Sequence, residues 1–120
     1  MIVNNYFTQW DFDNCTPRCK QSDMHADTLS KLNKARHMAG IPFILTSAYR
    51  TVEHEKNMGR PGTSAHTNGR AVDIRATTGR TKFIVVDALI KTGFTRIGVH
   101  TSFIHADDDP TKDQKLIWLY

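Results

Sequence analysis

Apolar residues recur along this chain in two rhythms, one near the helical period and one of short runs, and the runs gather towards the C-terminal half. From residue 22 to 39, Leu29, Leu32, Ala35, Met38 and Ala39 fall near helical spacing; Ser22 or Asp23 can cap the segment, and Gly40 and Pro42 end it. Phe43, Ile44 and Leu45 then form a short apolar run that ends in TSAYR. That run predicts a core strand delivering Ser47 to Arg50 to its rim. A short helix is expected from Val52 to Met58, and GRPGTSAHT is rich in turn formers. Ala71 to Ile74 reads as a strand, followed by a loop through Thr77, Thr78 and Gly79. Residues 81 to 92 return to the helical rhythm, with Phe83, Val86, Leu89 and Ile90 on the core face, Val85 broadening it and Gly93 as terminator. Two strands, Phe94 to Val99 and Phe103 to Ala106, flank His100, Thr101 and Ser102. DDDPTKDQ reads as a solvated loop in which Asp108 and Asp109 are ordinary charges, and KLIWLY as a final strand packed in the core. Helices early and strands mainly later predict an α+β fold, one domain over residues 1–120 with helices packed on a mainly antiparallel sheet.

Composition narrows the function classes. A chain of 120 residues supports one core, so any site must be built from the elements that supply stability. With 39% hydrophobic residues the chain folds rather than remaining a disordered tail. The net charge of +4 favours encounter with polyanions such as an anionic bacterial envelope. Its sixteen Lys and Arg are scattered, however, and form no basic stripe interleaved with aromatics, so no nucleic-acid partner is expected. No stretch approaches the ~20 apolar residues that span a bilayer, so no stable membrane insertion is expected either. The opening MIVNNYFTQWDFDN lacks the positive start and continuous apolar run of a secretory leader, which predicts synthesis in the cytoplasm. Cys15 and Cys19 form a C-x3-C pair. A disulfide there would stabilise little, and with His25 the pair makes an incomplete zinc site, so two free or loosely paired thiols in a surface turn are expected.

The candidate chemistry lies in three polar side chains near strand ends. His66 sits in the turn-rich SAHTNGRAVDI, Asp73 in the strand that follows, and His105 in FIHA, where alternation puts Phe103 and His105 on one face. Two imidazoles and one carboxylate suit a zinc ion with one position left for water. Such an ion would activate that water and polarise a carbonyl. Spacing alone is weak support, since Asp73 could equally pair with Arg75 or Arg50.

The whole pattern is more specific than any part of it. FxxxDFDNCTPRC, ILTSAYRTVEHE, SAHTNGRAVDI and GFTRIGVHTSFIHAD, with S-x-H-x-x-G-x-A-x-D-I followed by F-I-H-A-D, resemble the M15 family of zinc peptidases over nearly the whole chain. This is the D-alanyl-D-alanine carboxypeptidase and phage endolysin group of LAS-type peptidases, and the likeness is greatest to its short members. The resemblance implies a hedgehog/DD-peptidase-like domain, monomeric, with zinc held by His66, Asp73 and His105. It implies that Ser64 and Gly69 shape the ligand loop, that Ala71 permits close packing, and that Arg50 faces the substrate, where its guanidinium fork suits a carboxylate or polarised carbonyl. A structural ion pair with Glu53 or Glu55 is the plainer role for Arg50.

Many relatives carry an acidic residue where this chain has Ser102, so a different general base is needed. His100 ranks first and Asp107 second; Asp107 can also fix the His105 imidazole. His25, His37 and His54 are left outside the site. The implied activity is hydrolysis of amide bonds in peptidoglycan stem peptides, either as a carboxypeptidase or as an endopeptidase delivered by a holin or mounted on a phage particle. The alternative is a zinc-containing wall-binding or virion component without catalysis.

Overall fold

The computed structural model describes residues 5–120; the apolar start read above for a leader begins in residues 1–4, outside them. In chain order the elements are α1 (Gln9–Asp13), α2 (Ala26–Ala39), β1 (Leu45–Ser47), α3 (Val52–Asn57), β2 (Ala71–Arg75), α4 (Gly79–Lys91), β3 (Arg96–Val99), β4 (Phe103–Asp107) and β5 (Leu116–Leu119). Single 3-10 turns cover Gln21–Asp23 and Ala65–Asn68. The five strands form one sheet in the order β1-β2-β4-β3-β5, antiparallel except for the parallel β3–β5 pair. This is a small single α+β domain with helices packed on a mainly antiparallel sheet.

The sheet has two unlike faces because strand residues alternate. Val72, Ile74, Ile97, Ile104 and Ala106 are almost wholly buried and belong to one core with Leu32 and Ala35 of α2 and Val85, Ala88 and Leu89 of α4. Each large apolar side chain buried there contributes about 1.5–3 kcal/mol, which sets the sheet's register as well as its stability. On the opposite face the register aligns Ser47, Asp73, His105, Gly98 and Trp118 in one row across all five strands. The next row brings Asp107 opposite both Ala71 and Arg96.

Several expectations need correction. The first long helix starts at Ala26, not residue 22, because the Gln21–Asp23 segment closes as a 3-10 turn and His25 Nδ1 accepts the N-cap bond from the Asp27 amide at 3.3 Å. Helix α4 buries Val85, Ala88 and Leu89, while Phe83 is 74% exposed and Ile90 49% exposed, so its inner face is rotated from the one the large side chains suggested. The final apolar strand is not in the core either. As the sheet's edge it leaves Ile117 and Leu119 exposed and turns Trp118 towards the polar face. Cys15 and Cys19 are free but buried, and burial pushes the Cys15 thiol up to about 12.

Candidate metal centre

The loop before β2 is shaped to hold one imidazole. Ser64 caps the 3-10 turn by accepting from the His66 amide at 3.1 Å, and Gly69 ends it at φ 68°. A Cβ at Gly69 would lie 2.5 Å from the Asp23 carbonyl oxygen, so both the backbone sign and the close approach to the preceding segment require glycine. Ala71 is fully buried beside this turn. The neighbouring chain is tied down from below by carboxylates that read as loop charges and are not. Asp108 accepts from Thr28 Oγ1 at 2.7 Å and Lys31 Nζ at 2.9 Å, which joins the end of β4 to α2. Asp109 accepts from Asn68 Nδ2 at 2.9 Å and from Thr111, joining β4 to the His66 turn. Burial opposes its ionisation, but the Thr111 and Asn68 bonds prevail and hold its carboxyl at about 2.

Three donor atoms converge where turn and sheet meet. His66 Nε2 lies 3.2 Å from His105 Nδ1 and 3.3 Å from Asp73 Oδ1, and His105 Nδ1 lies 3.1 Å from Asp73 Oδ1. All three residues are buried. Their outward atoms decide where the protons are. His66 Nδ1 sits 2.6 Å from the Ala48 carbonyl oxygen, which can only accept, so Nδ1 carries the hydrogen. His105 Nε2 sits 2.6 Å from Asp107 Oδ2 and donates to it. In the neutral tautomers these partners dictate, two imidazole lone pairs and a carboxylate oxygen face one another with no donor between them.

Such a trio calls for a cation. A tetrahedral ion bound at about 2.0–2.1 Å separates its ligand atoms by about 3.3–3.4 Å, close to the spacings present here. Without a metal, a proton must serve, and the shifts follow that logic. Burial works against the Asp73 carboxylate, yet the bonds and charges of His105 and His66 outweigh it and hold its carboxyl well below the usual range. Burial likewise disfavours protonated His105, but Asp107 and Asp73 prevail and raise its pKa.

Asp107 is 1% exposed and has both oxygens engaged: Oδ2 accepts from His105 and from Arg96 Nε at 3.3 Å, and Oδ1 accepts from the Asp109 amide at 3.2 Å and lies 3.0 Å from the same Arg96 Nε. The triad opens on a cleft of about 200 Å³ lined by Arg50, Arg96, Lys112, Trp118 and Tyr120 among others. Arg50 reaches it from the segment after β1. Its Nε is buried and faces Glu55 Oε1 at 3.2 Å without the alignment of a hydrogen bond, while Glu55 also pairs with Arg60. The Glu55 carboxyl is buried, which raises its pKa, but the Arg60 bond and the charges of Arg50 and Arg60 lower it on balance. Larger hollows of about 420 Å³ and 410 Å³ beside Trp10 and beside Ile117 bring together no comparable set of ligand atoms among the described residues.

His100 does not line this cleft. Its ring stacks on Phe103 at 4.4 Å, meets the edge of Tyr120 at 5.6 Å, and accepts from the Ser102 amide through Nδ1. Tyr120 is thus the ring between His100 and the opening. Arg96, Lys112, Trp118 and Tyr120 carried no weight in the sequence reading. The hairpin could have shown Arg96, since a turn at His100 to Ser102 sets Arg96 opposite Asp107.

Residues 5–107 match a protein family described as Peptidase M15. No curated protein matches the chain.

Proposed function

The chain belongs to the Peptidase M15 family, and from that premise we propose that it is a zinc-dependent hydrolase of amide bonds in bacterial peptidoglycan stem peptides. The observation that carries this reading is the trio of His66 Nε2, Asp73 Oδ1 and His105 Nδ1, mutually 3.1–3.3 Å apart, donor-free and at the floor of a cleft. A zinc ion held by His66, Asp73 and His105 would supply a Lewis acid able to activate water and polarise the scissile carbonyl.

The chain's own side chains supply position and proton movement. Arg50, which lines the cleft with its buried Nε turned towards Glu55, orients the substrate by its carboxylate, which favours removal of a terminal residue over cleavage within a cross-link. Asp107 holds the His105 ring rather than taking a proton, because both its oxygens are already occupied. His100, the first-ranked proton donor of the sequence reading, stands outside the cleft behind Tyr120, so a proton role for it requires its ring to swing past Tyr120 to reach the leaving amine. Arg96 and Lys112 add positive charge at the rim, matching an anionic peptide end.

A second reading, a wall-binding protein that keeps the metal for stability, draws on one observation. Among the described residues lining the cleft, no carboxylate is left unengaged to act as base. Incubation of the zinc-loaded protein with defined muropeptides, followed by mass detection, separates the two. The hydrolase gives a new amine and carboxylate pair that disappears in His66→Ala; hydrolysis persisting in a zinc-free His66→Ala refutes the metal-dependent reading. Binding to sacculi with no product from any muropeptide supports the second.

A further inference from the structure

The polar face of the sheet carries more aromatic surface than the metal site requires. Alternation along β4, β3 and β5 places Phe103, His100, Trp118 and Tyr120 on the same face as His105. Their rings touch in series. His105 lies 5.3 Å from Trp118, Trp118 lies 6.4 Å from Tyr120, and Tyr120 lies 5.4 Å from Phe103, which stacks on His100. Gly98 makes room for this layer, since a Cβ there would come within 2.8 Å of both the Trp118 and Tyr120 rings. Tyr120 is nonetheless 64% exposed. An exposed tyrosine held by three ring neighbours is preorganised, so a ligand that stacks on it meets little ordering cost.

The shelf has the form expected for a sugar rather than for an aliphatic side chain. The rings tilt by 59–72° against Tyr120, which leaves the Tyr120 ring as the open face, and the rim around it is polar: the tyrosine hydroxyl, the His100 imidazole and the Ser102 hydroxyl beside it, 3.1 Å from His100 Nδ1. A pyranose presents an apolar face to aromatic rings and hydroxyl and amide groups around its edge. The Trp118 ring is already covered, by Arg96 at 5.1 Å, so it braces Tyr120 rather than offering a second stacking face. The two ring steps from His105 to Tyr120 correspond to about three or four residues of extended peptide.

We propose that the exposed Tyr120 ring, braced by Phe103, His100 and Trp118, forms a saccharide subsite, which holds an N-acetylhexosamine ring of the glycan strand while the stem peptide joined to it enters the cleft. The proposal rests on the peptidoglycan reading above and adds that the substrate is recognised while still attached to sugar. Two measurements test it separately. The first compares kcat/KM on a stem peptide bearing its disaccharide with that on the same peptide free; the second titrates a peptide-free β-1,4-linked N-acetylglucosamine tetrasaccharide. The titration is followed by fluorescence in a Trp10→Phe background, so that Trp118 alone reports; Trp10 lies away from the site on α1.

The attached disaccharide is expected to raise kcat/KM about five- to tenfold, mainly through KM, the size of one stacking contact. Tyr120→Ala should bring that ratio towards one and weaken the tetrasaccharide titration, while Tyr120→Phe restores most of both. Equal kcat/KM on the two substrates with no fluorescence change overturns the subsite and leaves the peptidase reading intact. Saccharide binding that is lost in Tyr120→Ala, with neither substrate hydrolysed, supports the subsite and overturns the peptidase reading. Saccharide binding that Tyr120→Ala does not weaken overturns the location.

Discussion

Replacing Asp107 by asparagine separates holding a ligand from taking part in the reaction. Asp107 meets three donors at once: Oδ2 accepts from His105 Nε2 at 2.6 Å and Arg96 Nε at 3.3 Å, and Oδ1 from the Asp109 amide at 3.2 Å. Asparagine keeps one acceptor and turns the other oxygen into a donor. Either His105 and Arg96 lose their shared acceptor, or the Asp109 amide faces an N–H₂ group that also lies 3.0 Å from Arg96 Nε. Loss of such an outer partner lowers metal affinity about 10- to 100-fold, equivalent to about 1.4–2.7 kcal/mol. Leaving Arg96 poorly matched destabilises the fold by a further ~1–3 kcal/mol. Competition with a chromogenic chelator measures the first effect and urea denaturation the second. If Asp107→Asn loses kcat by about a thousandfold while zinc affinity and stability stay at their original values, the carboxylate takes a proton during turnover and the anchoring argument is refuted.

Three other outcomes follow from the same geometry. With zinc removed, the raised His105 pKa means that its ion pairs contribute stability fully present below about pH 6.5 and lost as pH rises through the folded-state value. Zinc must displace that proton, so the rise in melting temperature on adding zinc should be larger near pH 8 than near pH 6; an equal rise at both refutes the competition. Gly69→Ala should destabilise the zinc-free protein by about 1–3 kcal/mol and weaken zinc binding, because a Cβ meets the Asp23 carbonyl and the backbone sign is disfavoured; unchanged denaturation and chelator competition would show that the turn relaxes freely. Asp108→Ala strips Thr28, Lys31 and Arg70 of a buried partner and should cost about 3–5 kcal/mol in urea denaturation, an expectation that a loss under 1 kcal/mol contradicts.

The readable parts of this molecule were those set by short-range rules. Alternation placed Phe103 and His105 on one face, and the glycine and serine of SAHTNG marked the turn before β2. The unreadable parts depended on partners distant in sequence. Asp108 and Asp109 stand in a run of charge, but their partners Thr28, Lys31 and Asn68 lie on α2 and in the His66 turn, so burial left no local trace. The inner face of α4 was misread because Ala88, small enough to pack closely, carries no hydrophobic signal, whereas exposed Phe83 and Ile90 do. In β5, apolar composition suggested the interior although topology put the strand at the sheet's edge. The orientation of Arg50 lies between these cases: its segment was legible, but not the unmatched Nε beside Glu55.

The two-faced sheet also acts as a proofreader. Slipping β2 against β4 by a single position would thrust Asp73 or His105 into the oily layer beneath the helices and bring Val72 or Ile104 out in its place. Faulty pairing is thereby rejected by hydrophobic burial before any ion arrives, and the binding centre needs no alignment mechanism of its own. Drift in the interior is correspondingly constrained: a substitution that loosens Ile74 or Ile104 blurs the aim of ligands it never touches.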